Sequence, residues 1–477
     1  MIVARGLGPE QYGMMMFLLG TFTAVRQLLD MGSSTAFFTL LSQRQRSLRL
    51  VSWYFFWLGI QFLLPLIAVG VLFPDSWIEL IWKSDQRSLV ALAFVAAFMQ
   101  SMLWLIIQQM GESQRLTHWV QSTAVMVALA HFLLIAVAWW SSWLAVKTVF
   151  SLTIIEWVIA VVVIVRKLQF TSMAEEHDTP VSVMAEFWNY CWPLVPYACL
   201  SFAYEFADRW LLQNYAGSTQ QAYFSVAFQF GSVTAIATSS ILNIFWKEIA
   251  EAHHQGNRER VGVLYQKVSR GLFFIAAVGA GFLAPWAKDI LFLTLGAPYA
   301  AGSITLMIMF FYPLHQALGQ IGGAMAYATG RVRLYVKNGM VMMGLSVMVT
   351  YFVLADSAAP MPGLGLGSLG LAGKMLAMQI VSVNVLAFCL SRSLGIRFDW
   401  QFQPLVVLVS VTAGLVAYAI PLTLLDLNSQ IWVALPISGA IFALVMMALV
   451  GLSPNLVGLN REDVTALFSF AKRLVHS

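Results

Sequence analysis

The chain reads as apolar stretches of roughly twenty residues separated by short polar connections. The stretches lie near 11–41, 50–73, 88–110, 119–140, 143–165, 187–213, 221–246, 268–285, 302–328, 338–355, 369–391, 404–425 and 431–452, thirteen in all. Helix of that length rises about 30 Å, the thickness of bilayer hydrocarbon. Alternating ten-residue segments of the barrel kind are missing from the sequence. The pattern predicts an all-α, polytopic membrane helical bundle. Met1-Ile2-Val3-Ala4-Arg5 precedes the first stretch and reads as the last turn of a helix. The first helix is therefore expected to be largely missing.

Composition sharpens this. Of 477 residues, 60% are hydrophobic and only 10% charged, with mean hydropathy +0.77. Soluble chains carry about 25% charged residues. This one cannot cover a water-facing surface, so it is an integral membrane protein. The net charge of +5 is then topology rather than nucleic-acid binding. Of the 27 basic residues, 18 fall on one side of alternating loops, starting with Arg44, Arg46 and Arg49, and 5 on the other. That bias places the richer loops and the C-terminal tail in the cytoplasm. Cys191, Cys199 and Cys389 all lie in apolar runs, which fits neither a disulfide framework nor a zinc site. No connection is long enough to hold a catalytic domain. The tail at 460–475 has Val464, Leu467, Phe468, Ala471 and Leu474 at helical spacing beside Lys472 and Arg473. It reads as an amphipathic helix on the inner surface, or as a frayed terminus.

The stretch 186–247 stands out. It reads as two spanning helices joined by a short polar hairpin, the first bent by Pro193 and Pro196. That helix carries Glu205, Asp208 and Arg209 in apolar surroundings, and charge at that depth is costly enough to imply function. An internal repeat is also visible. Gly8-Pro9-Glu10-Gln11-Tyr12-Gly13 parallels Gly217-Ser218-Thr219-Gln220-Gln221-Ala222, and Gly111 to Leu116 parallels Gly330 to Leu334. The same order at similar offsets predicts two homologous six-helix halves, as in many secondary transporters.

The stretches ARGLGPEQYG…LLDMGSSTAF, ADRWLLQNYAGSTQQAYFSVAFQF, KEIAEAHHQGNRERV and YATGRVRLYVKNGMV, in that order, resemble bacterial Wzx-type oligosaccharide flippases. These form the polysaccharide-transport branch of the MOP (MATE-like) superfamily. The resemblance implies two pseudo-symmetric six-helix lobes plus a terminal helix pair. The lobes would be residues 1–168 and 186–392, with a cytoplasmic linker at 169–185, the terminal pair at 400–452 and the tail at 453–477. It implies alternating access in the bacterial inner membrane, coupled to a cation gradient, H+ or Na+, with no cofactor. The implied substrate is an oligosaccharide linked to undecaprenyl diphosphate, used for O-antigen, capsule or exopolysaccharide. Membrane lipids and other polysaccharide-assembly membrane proteins are the implied partners.

Such a substrate needs cationic groups for the diphosphate. Arg26 and Arg209 are the leading candidates, because guanidinium forks match phosphate oxygens, and Lys374 is a third. The plainer readings are ion pairs, Arg209 with Glu205 and Arg26 with Asp30 at i+4, and a snorkelled Lys374. Glu205, Asp208, Asp30, Glu156 and His315 are candidates for the coupling ion, with charge balance or packing as the alternative. Glu156 lacks a basic residue within a turn and is expected protonated or paired across helices; His131 is another mid-span histidine. Gln100, Trp104 and Gln108 recur at i, i+4 and i+8, a face suited to sugar or to helix packing, and Tyr197 beside the prolines is a similar case. Three other readings compete: a MATE-type exporter of smaller cations, a membrane polymerase or glycosyltransferase, and a nonfunctional or scaffolding remnant. No loop holds the acidic or His/Asp/Ser constellation that an enzyme requires.

Overall fold

The computed structural model describes residues 1–43, 48–169, 180–423, 425 and 430–458, and for 180–183, 233–244 and 457 the backbone alone. The tail beyond 458 and most of the 169–185 linker lie outside these residues. The described chain is all-helical. In order, the helices are α1 (Ile2–Asp30), α2 (Ser33–Gln43), α3 (Leu48–Ile67), α4 (Asp75–Trp82), α5 (Arg87–Phe98), α6 (Trp104–Ser113), α7 (Thr117–Trp140), α8 (Val146–Val165), α9 (Pro180–Cys191) and α10 (Val195–His254). Then follow α11 (Arg258–Leu283), α12 (Ala287–Leu295), α13 (Ser303–Met309), α14 (Tyr312–Ala328), α15 (Val332–Leu354), α16 (Gly367–Leu394), α17 (Phe402–Thr423) and α18 (Ile431–Leu452). Wider π turns extend α3 (Ala68–Leu72) and join α5 to α6 (Met99–Leu103).

Ten helical segments among the described residues are long and apolar enough to cross a membrane. They match ten of the thirteen expected stretches. The stretches at 11–41, 187–213 and 221–246 are helical but not among the ten. The first two carry the charged residues singled out above, and those charges dilute their apolar character. The connection between the stretches at 50–73 and 88–110 contains α4. Its start is tied down by Arg87, which donates to Asp75, Val69 O and Phe73 O.

The repeat has a backbone counterpart. Gly8 (φ 74°, ψ 170°) and Gly217 (φ 79°, ψ 178°), 209 residues apart, each interrupt a helix with nearly the same conformation. Only glycine adopts that region freely. The expected hairpin between the helices of 186–247 is thus reduced to one residue inside α10. The second pairing needs correction. The residue equivalent to Gly330 (φ 71°) is Arg115 (φ 61°), not Gly111. Each left-handed residue is followed by an N–H that closes back five residues, Leu116 to Gly111 O and Arg331 to Ala326 O. This is the Schellman closure of a helix end. The short helices α4 and α12 begin 212 residues apart and complete the pattern.

By packing, the chain divides into two compact units: 1–222 with 350–365, and 223–349 with 366–477. In the first, Phe22 packs on Trp82 and Phe94 (centroids 5.5 and 5.4 Å), and Phe62 on Phe94 and Phe98. In the second, α11 lies against α14 and α17, and α16 against α14. A Cβ on Gly414 would sit 1.9 Å from Gly281 O, so α11 and α17 meet backbone to backbone. Ala413, Ala417, Phe442 and Met446 then knit α17 and α18 to α11 through Phe274, Val278 and Phe282.

Candidate functional site

The expected charges gather in the first unit because two helices are built to approach closely. Gly13, Gly20 and Gln27 recur every seven residues on α1, which puts them on one stripe two turns apart. That stripe faces the first part of α10. At Gly13 a Cβ would fall 1.7 Å from Ser218 O, so nothing larger than glycine fits. At Gly20 the space is filled by Arg209, whose Nε, Cδ and Cγ would lie 3.1–3.3 Å from an added Cβ. At Gln27 the helices are joined by hydrogen bonds. Its Nε2 donates to Glu205 Oε1 at 2.9 Å, and its Oε1 accepts from Ser201 Oγ at 3.0 Å.

Around this seam the charges balance. Glu205 lies within electrostatic reach of Arg209, Arg26 and Asp208. Asp208 is buried and accepts from Thr350 Oγ1 at 2.7 Å. Arg26 Nη1 donates to Ser101 O at 2.7 Å, on the π turn between α5 and α6. A π turn opens the regular backbone ladder, and a guanidinium can enter there. The site therefore holds two guanidiniums and two carboxylates with amide and hydroxyl partners. Such a group can receive an anion on its cations, and a proton on its carboxylates can shift the balance toward net positive charge.

The expected Arg26–Asp30 pairing is replaced by other partners. Asp30 accepts from Ser33 Oγ (2.9 Å), Ser34 N (2.8 Å) and Ser34 Oγ (2.8 Å). It caps α2 just after the chain breaks at Met31 (φ 43°) and Gly32 (φ 84°). A Cβ on Gly32 would meet Leu194 Cδ1 at 2.6 Å, which also holds the break in place.

Gln100, Trp104 and Gln108 do not share a face. The π turn inserts a residue between the first two, and one residue rotates a helix by about 100°. Gln100 is exposed, Trp104 is buried against Trp157 (centroids 5.0 Å), and Gln108 donates to Glu112 Oε1 at 2.9 Å. Tyr197 is exposed. Glu156 is 5% exposed and pairs across helices with His131 Nδ1 at 2.8 Å, joining α8 to α7. In the second unit His315 is buried, its Nε2 3.2 Å from Gln403 Oε1, and Gln403 Nε2 donates to Asn384 Oδ1 at 2.9 Å. Lys374, expected to snorkel, is 4% exposed on α16, a helix packed on α13 and α14. Tertiary packing covers it despite its place near the helix start.

Sequence reasoning missed Gln27, Ser201 and Thr350. A readable signal existed for Gln27 in the seven-residue spacing of two glycines ahead of it. Thr350 has none, since its partner is 142 residues away.

A family model described as "Polysaccharide biosynthesis protein" matches residues 1–245. No curated protein matches the sequence. Three similar solved structures share the fold. One is the lipid II flippase MurJ in an inward closed conformation, 13% identical, covering 94% of this chain and 95% of that one at TM-score 0.70. Another is an inward-facing multidrug resistance MATE family transporter of the MOP superfamily, 14% identical, covering 83% and 93% at TM-score 0.55. The third is an outward-facing transporter of the same description, 14% identical, covering 83% and 90% at TM-score 0.50.

Proposed function

We propose that this chain, which belongs to the polysaccharide biosynthesis protein family, is a flippase for an oligosaccharide linked to undecaprenyl diphosphate. It moves that lipid across the bacterial inner membrane by alternating access coupled to a cation gradient. The observation that carries the reading is the pair Arg26 and Arg209, both within reach of Glu205, in helices lined with amide and hydroxyl groups. A diphosphate demands such paired cations, and a guanidinium supplies two parallel donors where an ammonium supplies a point charge. Glu205 and Asp208 balance the arginines when no substrate is bound and accept a coupling cation in exchange. Lys374, His315 and Glu156 belong to this reading as further polar groups within the bundle. The similarity in fold to a structure described as a lipid II flippase supports a lipid-linked substrate.

The test is deletion of the gene in its host, with analysis of surface polysaccharide and lipid-linked intermediates. Loss of polymer with undecaprenyl-linked repeat units accumulating on the cytoplasmic face is expected. Arg26→Glu and Arg209→Glu should reach the membrane and fail to restore export. Export restored by both charge reversals would remove the arginines from the mechanism. Normal polymer and normal intermediates in the deletion strain would point to a drug exporter instead.

A further inference from the structure

A cavity of about 500 Å³ opens in the second unit, where α11, the start of α17 and the end of α18 come together. Arg270 and Asp399 line it, with Gln401, Ser453 and Asn455 beside them. Leu405 and Leu452 complete the wall and are 49% and 77% exposed. Spans able to cross a membrane start at Phe402 and end at Leu452, so the cavity lies at a bilayer surface. The charge bias assigns that surface to the cytoplasm. Trp400, just ahead of α17, is exposed and edge-on to Phe398 (centroids 5.1 Å), as suits an interfacial aromatic. Arg270 Nη2 pairs with Asp399 Oδ2, Nη1 donates to Asn455 O at 3.1 Å, and the guanidinium lies 5.8 Å from the Phe402 ring centre. Its Nε is buried with no hydrogen-bond partner among the described residues. The ion pair is therefore a single bond and not the two-bond fork that arginine and a carboxylate can form.

We infer that this cavity binds the headgroup of a bilayer phospholipid that carries both a phosphate and a primary amine, phosphatidylethanolamine. The inference does not depend on what the chain transports. Three arguments support it. The first is size and polarity. The volume falls in the range of small-molecule sites, about 300–1,000 Å³. The exposed leucines offer the acyl chains a way back into the bilayer. The second is charge. The two charged residues of the wall cancel, so a phosphate placed on Arg270 alone would leave Asp399 without its counter-ion. An amine on the same ligand takes Asp399 in exchange, and one ion pair becomes two. Arg270 and Asp399 are 25% and 31% exposed, and a pair that exposed contributes little, so opening it costs little. The third is hydrogen bonding. A primary ammonium has three donors. Asp399, the Gln401 amide oxygen and the Ser453 hydroxyl are acceptors in the same wall. The methylated nitrogen of phosphatidylcholine has no donor, and phosphatidylglycerol has no amine. A diphosphate also lacks the amine and would repel Asp399, which separates this cavity from the transported lipid. The bound headgroup joins α11, α17 and α18 at their ends and stabilises the terminal pair.

The experiment uses the full chain in detergent, mixed with equal amounts of dioleoyl phosphatidylethanolamine, phosphatidylcholine and phosphatidylglycerol. Retained lipid is read by native mass spectrometry, and the unfolding temperature is measured with each lipid alone. Phosphatidylethanolamine should be retained about tenfold over the other two, the worth of one charge-assisted hydrogen bond, and should alone raise the unfolding temperature. Asp399→Asn keeps an acceptor for Gln401 N and removes the counter-charge of the amine. It should erase the preference over phosphatidylglycerol while unfolding close to wild type without lipid. Arg270→Gln should lose retention of both phosphatidylethanolamine and phosphatidylglycerol. Should Arg270→Gln not fold, Asp399→Asn alone decides. Equal retention of the three lipids by wild type, a preference for phosphatidylglycerol, or a phosphatidylethanolamine preference that survives Asp399→Asn overturns the site. Export assays keep the two readings apart. Arg209→Glu, expected to lose export, should retain phosphatidylethanolamine as wild type does, and loss of retention there would overturn the independence of this cavity from the transport site.

Discussion

Gly13→Ala is the sharpest probe of how the charged seam between α1 and α10 is assembled. The added methyl carbon would lie 1.7 Å from Ser218 O and 2.6 Å from its carbonyl carbon, where ordinary contacts begin near 3.4 Å. The obstacle is backbone, so no rotamer change relieves it. The helices must separate by roughly 1.5 Å, which places the cost at the upper end of overpacking, about 3 kcal/mol. The same separation stretches the Gln27–Glu205 bond beyond its present 2.9 Å. Loss of a hydrogen bond to a charged group adds roughly 1.5–3 kcal/mol. Gly20→Ala is the matched control. The atoms nearest its methyl would be those of the Arg209 side chain at 3.1–3.3 Å, and a side chain yields more easily than backbone. That change should cost less than about 1 kcal/mol, within the scatter of ordinary substitutions. The assay is the unfolding temperature of the full chain in detergent beside complementation of polysaccharide export. Gly13→Ala should unfold several degrees early and lose export, and Gly20→Ala should unfold close to wild type. Equal behaviour of the two variants would refute the backbone contact between α1 and α10.

Other outcomes follow from single contacts. Thr350→Val removes the 2.7 Å donor to Asp208 and should cost roughly 1.5–3 kcal/mol; a double-mutant cycle with Asp208→Asn should recover a coupling of at least about 1 kcal/mol, and an additive cycle would exclude the bond. His131→Leu leaves Glu156 without its partner and should cost about 3 kcal/mol, the low end for a broken buried pair because His131 is 33% exposed. Adding Glu156→Leu should restore most of the lost stability, measured by thermal unfolding, and a further loss would show that the pair was not the cause. Gly8→Ala and Gly217→Ala meet no atom within 4 Å, so backbone strain alone should cost about 1–3 kcal/mol each in the same assay. A cost near zero would mean that the helix straightens there.

How much was legible in the sequence follows from the range of each interaction. Hydropathy is a local property, because each span must bury its own backbone in lipid. Ten spans, the terminal helix pair among them, were therefore readable in order. The glycines at 8 and 217 were readable too, because a φ near +75° favours glycine whatever surrounds it. The second repeat was misaligned because its left-handed residue is Arg115 in one half and Gly330 in the other, which identity alone does not pair.

The site was legible only as residue types. Sequence alone marked Arg26, Glu205, Asp208, Arg209, Glu156 and His315, since charged and titratable groups in apolar helices are expensive. Their partners were decided by packing. Helical periodicity offered Asp30 to Arg26, yet the chain turns at Met31 and gives Asp30 to Ser33 and Ser34. The same periodicity placed Gln100, Trp104 and Gln108 on one face until a π turn rotated them apart. Gln27 with Glu205, Thr350 with Asp208, His131 with Glu156 and Gln61 with Leu29 are separated by 178, 142, 25 and 32 residues. Hydropathy determines that a helix lies in the membrane, while its rotation about its own axis is set by the neighbours it packs against, and that rotation chooses the partner of every buried charge.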